Sequence, residues 1–190
     1  RALSPASRYQ PSSDLWVIAA YYNPHGYKTR AHNHALFADS LRRSGIALLT
    51  VECAFGDEPF VLPSGPDVLA CRCASVLWQK ERLLNVAIAQ LPPTCTKVAW
   101  LDADILFERA DWAIQTSRLL DRYAIVQVFS SVVRLSRGAT SSVGDEETIP
   151  SFASIYASEQ PFTEPVTIIS MDTPALAGLL VETCSSELAI

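Results

Sequence analysis

The sequence predicts an α/β fold with a mostly parallel sheet and helices on both faces. Apolar runs of strand length recur along the chain, and segments with helical spacing of apolar residues separate them. Polar and turn-forming residues mark most of the junctions. Regular alternation of strands and helices favours a parallel sheet, because each helix carries the chain back across the sheet before the next strand begins.

The first part of the chain shows one strand-helix-strand unit. Leu15 to Tyr22 is a continuous apolar run, and the polar stretch NPHG that follows indicates a turn. Apolar residues at helical spacing predict a helix over Lys28 to Ser44, and Gly45 stands where a helix-ending glycine belongs. Ile46 to Cys53 is again apolar and predicts a second buried strand.

The middle of the chain repeats the alternation. Phe55 to Pro66 contains proline and glycine and predicts a long loop, and Val68 to Cys73 predicts a short third strand. A broad apolar stripe predicts a helix over Ser75 to Leu91, which the two following prolines end. The run VAWL that begins at Val98 predicts the next strand.

The remaining elements define a provisional division of the chain. A helix from about Ala110 to Leu120 and a strand over Ala124 to Phe129 complete the predicted α/β domain. We divide the sequence into an N-terminal extension (1–14), the α/β domain (15–135), a loop-rich segment (136–165) and an atypical tail (166–190).

The composition excludes several classes of protein. The 190 residues are 49% hydrophobic and 18% charged, which is typical of a globular chain and not of a disordered one. The net charge of -5 provides no basic surface for phosphates, so nucleic acid is not an expected partner. No apolar run reaches the roughly 20 residues of a membrane span, so we expect no transmembrane segment.

The cysteines favour a reducing compartment. Their number is odd, their spacing matches neither a disulfide framework nor a zinc site, and they are Cys53, Cys71, Cys73, Cys95 and Cys184. We therefore expect a cytoplasmic location. Because the sequence starts at Arg1 and its only methionine is Met171, this expectation does not cover targeting signals before residue 1.

Two carboxylates end the strand that begins at Val98. The stretch VAWLDADILF places Asp102 and Asp104 one residue apart directly after the apolar run. Like charges this close repel each other unless a proton or a cation lies between them. At the carboxyl end of a strand, such a pair can hold Mg²⁺ or Mn²⁺ while substrate phosphates complete the coordination. The alternative is that Asp102 caps the following turn and Asp104 is simply exposed.

Polar residues at three other positions are expected near this edge. Tyr22 and Asn23 follow the first strand, Glu52 ends the second strand, and the helix before the D-A-D motif carries two more, Lys80 and Asn85. Three of them have a simpler structural explanation when taken alone. Asn23 can form a turn, Glu52 can be a solvated strand end, and Asn85 can be a polar residue on a helix surface.

The segments VIAAYYNP, LLTVE, QKERLLNVAI and VAWLDADILF, in this order, resemble the nucleotide-binding half of inverting, family-2-like GT-A glycosyltransferases. The resemblance covers roughly Trp16 to Phe129. It implies a GT-A-type fold that binds a UDP- or GDP-sugar with Mn²⁺ or Mg²⁺ and transfers the sugar to an acceptor that the sequence does not identify.

The resemblance also implies roles for individual residues. Asn23 and Glu52 correspond to the family's contacts with the nucleobase and ribose, and Asn85 to an asparagine before the metal motif. Asp102 and Asp104 correspond to the metal-binding D-x-D motif. Arg30 belongs to the same pattern as part of Y-x-x-R-x-x-N, although its sequence position suggests no mechanical role.

The acceptor-side half of the family pattern is incomplete. After Phe129 there is neither a G-x-A-W-like stretch nor the acidic residue that would follow it and deprotonate the acceptor, so the catalytic base is unknown. The tail from Thr173 to Ile190 predicts a helix but matches nothing in the family.

A change of reading frame is one hypothesis for this tail. If the codons for Thr173 to Ile190 are read one base earlier, permissible codon choices spell HTGFGWAARRDLLVRAGY, which resembles the missing motif. The hypothesis places the change between about Phe152 and Asp172 and predicts poor or moderate donor binding with little or no transfer. The nucleotide sequence of the gene tests it.

Three other functions fit parts of the pattern. A haloacid-dehalogenase-like phosphatase also uses a D-x-D motif, but on an early strand, with a lysine and further acidic residues downstream. A sugar-nucleotide pyrophosphorylase would need a glycine-rich phosphate loop after the first strand, where none occurs. A non-catalytic, degenerate nucleotide-binding domain would keep the donor crevice without the chemistry.

Three histidines, His25, His32 and His34, show no ligand geometry and are expected on the surface.

Overall fold

A computed structural model describes residues 14–77, 79–136, 139–140, 142, 144, 147–158 and 181–183. Apart from Asp14, the predicted N-terminal extension lies outside the described residues, and so does most of the predicted tail. No helix in the described part of the chain is both long enough and apolar enough to cross a bilayer.

The described chain contains eight strands and four helices. In order they are β1 (Leu15–Tyr22), α1 (Lys28–Arg43), β2 (Ala47–Phe55), β3 (Val68–Cys73), α2 (Lys80–Ile88), β4 (Lys97–Leu101), α3 (Trp112–Leu120), β5 (Ile125–Val126), β6 (Ser131–Val133), β7 (Thr148–Pro150), α4 (Phe152–Ala157) and β8 (Val181–Thr183).

Six strands form the main sheet, in the order β3-β2-β1-β4-β8-β5. β1 pairs in parallel with β2 and β4, and β2 pairs in parallel with β3. β8 is antiparallel to both β4 and β5, so β5 runs in the same direction as β4. The remaining described strands, β6 and β7, form a separate antiparallel pair. The predicted α/β fold with a mostly parallel sheet is therefore confirmed.

The core lies on both faces of this sheet. On one face, α1 contributes Phe37 and Leu41, and α3 contributes Trp112, to a cluster with alternate residues of β1 and β4. On the other face, α2 packs Leu83 and Leu84 against the opposite residues of the same strands. Because residues in a strand alternate between faces, the continuous apolar runs seen in the sequence supply both clusters.

The end of α1 shows how the sequence sets a boundary. Gly45 has a positive φ of 68°, and its N–H donates to the carbonyl of Arg42 while the N–H of Ile46 donates to the carbonyl of Leu41. These bonds satisfy carbonyl groups that the last helical turn leaves unpaired. The predicted role of Gly45 as the helix-ending residue is confirmed.

The predicted start of α2 was wrong. The helix begins at Lys80 instead of Ser75, and Val76 and Leu77 are 66% and 73% exposed. The hydroxyl of Ser75 accepts a hydrogen bond from the N–H of Leu77, a local bond that competes with helical geometry. The segment before Lys80 therefore crosses the carboxyl edge of the sheet as a connection.

The structure also differs from the sequence prediction after β4. β5 has two residues where Ala124 to Phe129 was predicted, and its described pairing with β8 ends at Val126. Beyond Val126 the side chain of Gln127 accepts a hydrogen bond from the N–H of Ala153. The predicted loop-rich segment contains β7 and α4. In the tail, where a helix was predicted, Val181–Thr183 form strand β8.

Candidate functional site at the carboxyl edge of the sheet

The strand order creates a crevice between β1 and β4. From β1 the chain moves to β2 on one side, and after β3 it returns to β4 on the other side of β1. The connections that leave β1 and β4 therefore diverge, and ligands of open α/β sheets bind at such a point beyond the carboxyl ends of the strands. Tyr22 ends β1, and Asp102 directly follows Leu101 at the end of β4.

Asp102 forms an ion pair with Lys80 at this edge. The ammonium of Lys80, the first residue of α2, contacts the Oδ1 of Asp102. The two side chains are 19% and 20% exposed, so the pair is largely covered by protein. The carboxylate that was predicted to bind a metal ion is thus already neutralised by a cation of the chain itself.

Asp104 lies in the electrostatic field of three neighbouring charged groups. Partial desolvation is the largest cause that raises the pKa of Asp104, and the Asp102 carboxylate raises it further. Arg30 and Lys80 act in the opposite direction. The side chain of Asp104 nevertheless meets solvent. Two basic and two acidic groups therefore share this edge, and the carboxylate of Asp104 is accessible to a ligand.

Arg30 has a mechanical role that the sequence did not reveal. Its Nη1 donates a hydrogen bond to the backbone carbonyl of Tyr22 at 3.0 Å, and its guanidinium carbon lies 6.0 Å from the centre of the Tyr22 ring. Burial raises the pKa of Tyr22, and the charge of Arg30 opposes that rise. The ring of Tyr22 also makes an edge contact with Phe55. Arg30 therefore anchors the first turn of α1 to the end of β1.

Asn23 is occupied by its own loop. Its Oδ1 accepts a hydrogen bond from the N–H of Tyr27 at 3.0 Å, and its Nδ2 donates to the carbonyl of Tyr27 at 2.9 Å. Within the same turn Gly26 has a positive φ of 64°, which favours glycine. Asn23 lies at the predicted edge, but its amide orders the connection between β1 and α1.

Glu52 is a buried anchor for the loop after β2. It is only 3% exposed, and its carboxylate accepts hydrogen bonds from the backbone N–H groups of Val61 and Leu62. The solvated strand end considered from sequence is therefore wrong for this residue. A direct contact between Glu52 and a ligand would require this loop to move.

Asn85 is not brought to the ion pair. It is exposed on α2, five residues after Lys80. In an α-helix that separation corresponds to about 7.5 Å along the axis and about 140° around it. Its side chain therefore leaves the helix on a different face from that of Lys80, further from the carboxyl edge.

His34 is a buried residue that sequence analysis placed on the surface. It is 5% exposed, its Nε2 lies 3.1 Å from the Oγ1 of Thr50, and its ring centre is 5.5 Å from that of Tyr21. Burial lowers the pKa of His34, and the charge of Asp67 opposes this effect. The overlooked signal is its spacing, because His34 precedes the buried Phe37 by three residues. The other two histidines are exposed as predicted.

The two aspartates alone do not form a complete metal site. Among the described residues, no group of three or more His, Cys, Asp or Glu side chains could hold a metal ion. Mg²⁺ is commonly held by one or two carboxylates while substrate phosphates supply further oxygens. Asp102 and Asp104 are two such carboxylates, and Asp102 would have to leave Lys80 to bind a cation.

Two grooves of the described structure lie away from the candidate site. A groove of about 580 Å³ lies between α3, the segment after β5 and the start of α4, and a second of about 430 Å³ lies beside α1. None of the predicted site residues lines either groove. The candidate site lies where β1 and β4 diverge and where the charged groups of Lys80 and Asp102 meet.

Comparisons with known proteins add little to this description. No protein-family model matches the chain, and no curated protein matches it. The chain is similar in structure to 4-diphosphocytidyl-2C-methyl-D-erythritol synthase from Anaerococcus prevotii, with a TM-score of 0.36 and 11% sequence identity. The similarity covers 73% of this chain and 65% of that one, so the chain spans less than two thirds of that protein. Similarity this low carries no functional argument, and the α/β assignment depends on the sheet itself.

Proposed function

We propose that this chain is a glycosyltransferase-like donor domain that binds a UDP- or GDP-sugar together with Mn²⁺ or Mg²⁺. The observation that most supports the proposal is the grouping of Arg30, Lys80, Asp102 and Asp104 where β1 and β4 diverge. A diphosphate with a divalent cation is a ligand that suits both signs of charge at this edge.

In the proposed complex the aspartates and the basic residues have complementary tasks. Asp102 and Asp104 would hold the cation, which would supply positive charge to the leaving diphosphate. Lys80, released from Asp102, adds positive charge beside the phosphates. Arg30 keeps the end of β1 in place, and Tyr22 there offers a partly buried ring. Contacts of Asn23 and Glu52 with the base and ribose stay predictions, since both side chains hold loops.

Transfer to an acceptor would need a catalytic base in addition to the donor edge. The sequence after Phe129 lacks the family's acceptor-side motif and its acidic base. A second candidate, a nucleotide-binding domain without catalytic activity, is favoured by the commitment of Asn23 and Glu52 to neighbouring loops. Both candidates share the donor edge and differ in whether sugar leaves the nucleotide.

Calorimetry with a panel of UDP- and GDP-sugars, with and without Mn²⁺, tests the binding step. We expect heat of binding that requires Mn²⁺ in the natural chain and is lost in Asp104→Asn. Asp39→Asn is the matched control, because Asp39 is an exposed carboxylate in the second half of α1, beside Arg42 and Arg43. It should bind as the natural chain does.

Product analysis separates the candidate functions. Sugar transfer or hydrolysis that depends on Mn²⁺ supports a glycosyltransferase, whereas binding without either supports the non-catalytic domain. Release of phosphate from simple esters would instead indicate the phosphatase. Absence of binding to every nucleotide sugar in the presence of Mn²⁺ would contradict the proposal.

A further inference from the structure

Three thiols gather on two neighbouring strands. Cys53 lies on β2 and Cys71 and Cys73 on β3, and we refer to these three as the cysteine cluster. In the parallel register Cys53 is opposite Cys71, and Phe55 is opposite Cys73. All three side chains belong to the core face that α2 covers. All three are free thiols.

One pair within the cluster is in direct contact. The Sγ atoms of Cys53 and Cys73 are 2.9 Å apart, compared with about 2.05 Å in a disulfide bond. Although Cys71 is the register partner of Cys53, the sulfur that contacts Cys53 is that of Cys73. Cys53 is 3% exposed, whereas Cys73 is half-buried on β3, at the edge of the sheet.

The arrangement suits oxidation better than metal binding. No metal-binding group of three or more candidate side chains occurs in the part of the chain that the structure describes. Two thiols that the fold holds in contact have instead a high effective concentration for each other. Within the contacting pair, Cys73 is the half-buried thiol on the edge strand and is the one that a small oxidant can reach.

We propose that Cys53 and Cys73 form a reversible disulfide by exchange with a small-molecule disulfide such as oxidised glutathione. The Cys73 thiolate attacks one glutathione sulfur, forms a mixed disulfide and releases a first glutathione thiolate. Cys53 then attacks the Cys73 sulfur, and its proton passes to the second glutathione, which leaves as a thiol. The first glutathione thiolate takes up the proton that Cys73 lost. The protein is oxidised by two electrons, and the glutathione disulfide is reduced to two thiols.

The environments of the two thiols support this order of steps. Burial and the hydrogen bond to Cys73 raise the pKa of Cys53 to about 12, so Cys53 is a protonated thiol at neutral pH. A protonated, buried thiol does not start an exchange. Once Cys73 carries glutathione, however, the Cys53 sulfur is already in contact with the sulfur that it must attack.

The new bond would tie the edge strand to its neighbour. It would join residues 20 positions apart and close the chain around the loop whose N–H groups bind Glu52. A cross-link of this kind restricts opening of the loop it encloses. Oxidation would therefore hold β3 and this loop against β2.

The test uses the intact chain incubated with oxidised glutathione, blocked with an alkylating agent and mapped by peptide mass spectrometry. We expect a peptide pair linked through Cys53 and Cys73, with loss of two hydrogen atoms from the intact mass. Cys71→Ser should keep the link, and Cys73→Ser should lose it. Reduced glutathione should reverse it.

Two results would overturn the proposal. One is glutathione retained on Cys71 or Cys73 while Cys53 stays free to react with the alkylating agent after unfolding. The other is a link between Cys53 and Cys71. Circular dichroism of Cys73→Ser checks that this variant folds, and the map of the natural chain decides the matter without any variant.

Discussion

Replacing Lys80 with methionine should show how much the repulsion between Asp102 and Asp104 lowers the free energy of unfolding. Methionine keeps an unbranched side chain of similar length but removes the ammonium that contacts Asp102. Asp102 then remains charged and largely covered, next to the carboxylate of Asp104. We expect Lys80→Met to lower the free energy of unfolding, and Asp102→Asn to restore part of the loss.

The exposure of the two side chains sets the magnitude. Exposed ion pairs contribute about 0.2–1 kcal/mol, and breaking a fully buried pair costs about 3–5 kcal/mol. Because Lys80 and Asp102 are each about four-fifths covered, we expect a coupling energy of about 2 kcal/mol. Urea unfolding of the natural chain, the two single variants and the double variant gives this value as a double-mutant cycle.

A surface pair supplies the control for this cycle. Arg43 and Asp39 also form an ion pair, but their side chains are 69% and 46% exposed, so their coupling should be below about 0.5 kcal/mol. A coupling between Lys80 and Asp102 as small as this would refute the inference that the pair is desolvated.

Ligand dependence extends the same measurement to function. If Asp102 binds the cation, saturating Mn²⁺ with UDP should reduce the coupling with Lys80, because the metal replaces the ammonium as the counter-charge. An unchanged coupling, under conditions where calorimetry shows that nucleotide is bound, would exclude Asp102 as a ligand of the metal.

Three further substitutions test the packing around the site. Glu52→Gln removes the charge from the hydrogen bonds to the loop, so it should destabilise the chain by about 1–3 kcal/mol and speed proteolysis within residues 56–66, measured by urea unfolding and limited digestion. Burial lowers the pKa of His34 below the value of about 6.5 that it has in the unfolded chain. The neutral imidazole therefore stabilises the fold fully above about pH 6.5, and this stabilisation is lost as the pH falls through the lowered pKa of the folded state. His34→Gln should flatten this dependence between about pH 7 and pH 5, whereas exposed His25→Gln should not. Phe37→Ala should cost about 3–5 kcal/mol in urea unfolding because Phe37 is fully buried, against less than about 1 kcal/mol for Phe152→Ala, where the side chain is 54% exposed.

Boundaries set by local chemistry could be predicted from the sequence. β1 and β3 have the predicted limits, and the apolar run of β1 stops at the turn-forming residues Asn23 and Pro24. The start of α2 could not be predicted by apolar spacing. Val76 and Leu77 continue the stripe of the helix in sequence, yet the hydroxyl of Ser75 holds the backbone in a different local bond.

Positions at the site were easier to predict than the partners of the side chains. Asp102 follows a strand, so its place at the sheet edge depends only on nearby residues. Its contact with Lys80 joins residues 22 positions apart and depends on how α2 lies against the sheet. Glu52 likewise binds N–H groups of a loop whose path no sequence pattern specifies.

The three residues of β8 close a gap that the rest of the chain leaves open. They lie between β4 and β5, which do not otherwise pair in the described sheet. Ladder hydrogen bonds join main-chain groups, so this slot selects an extended backbone more than particular side chains. A shortened protein without these residues would expose two unpaired strand edges, one on β4 and one on β5, which favours self-association. A tail with a different amino-acid sequence could occupy the same position between β4 and β5, because the pairing depends on an extended backbone and not on particular side chains.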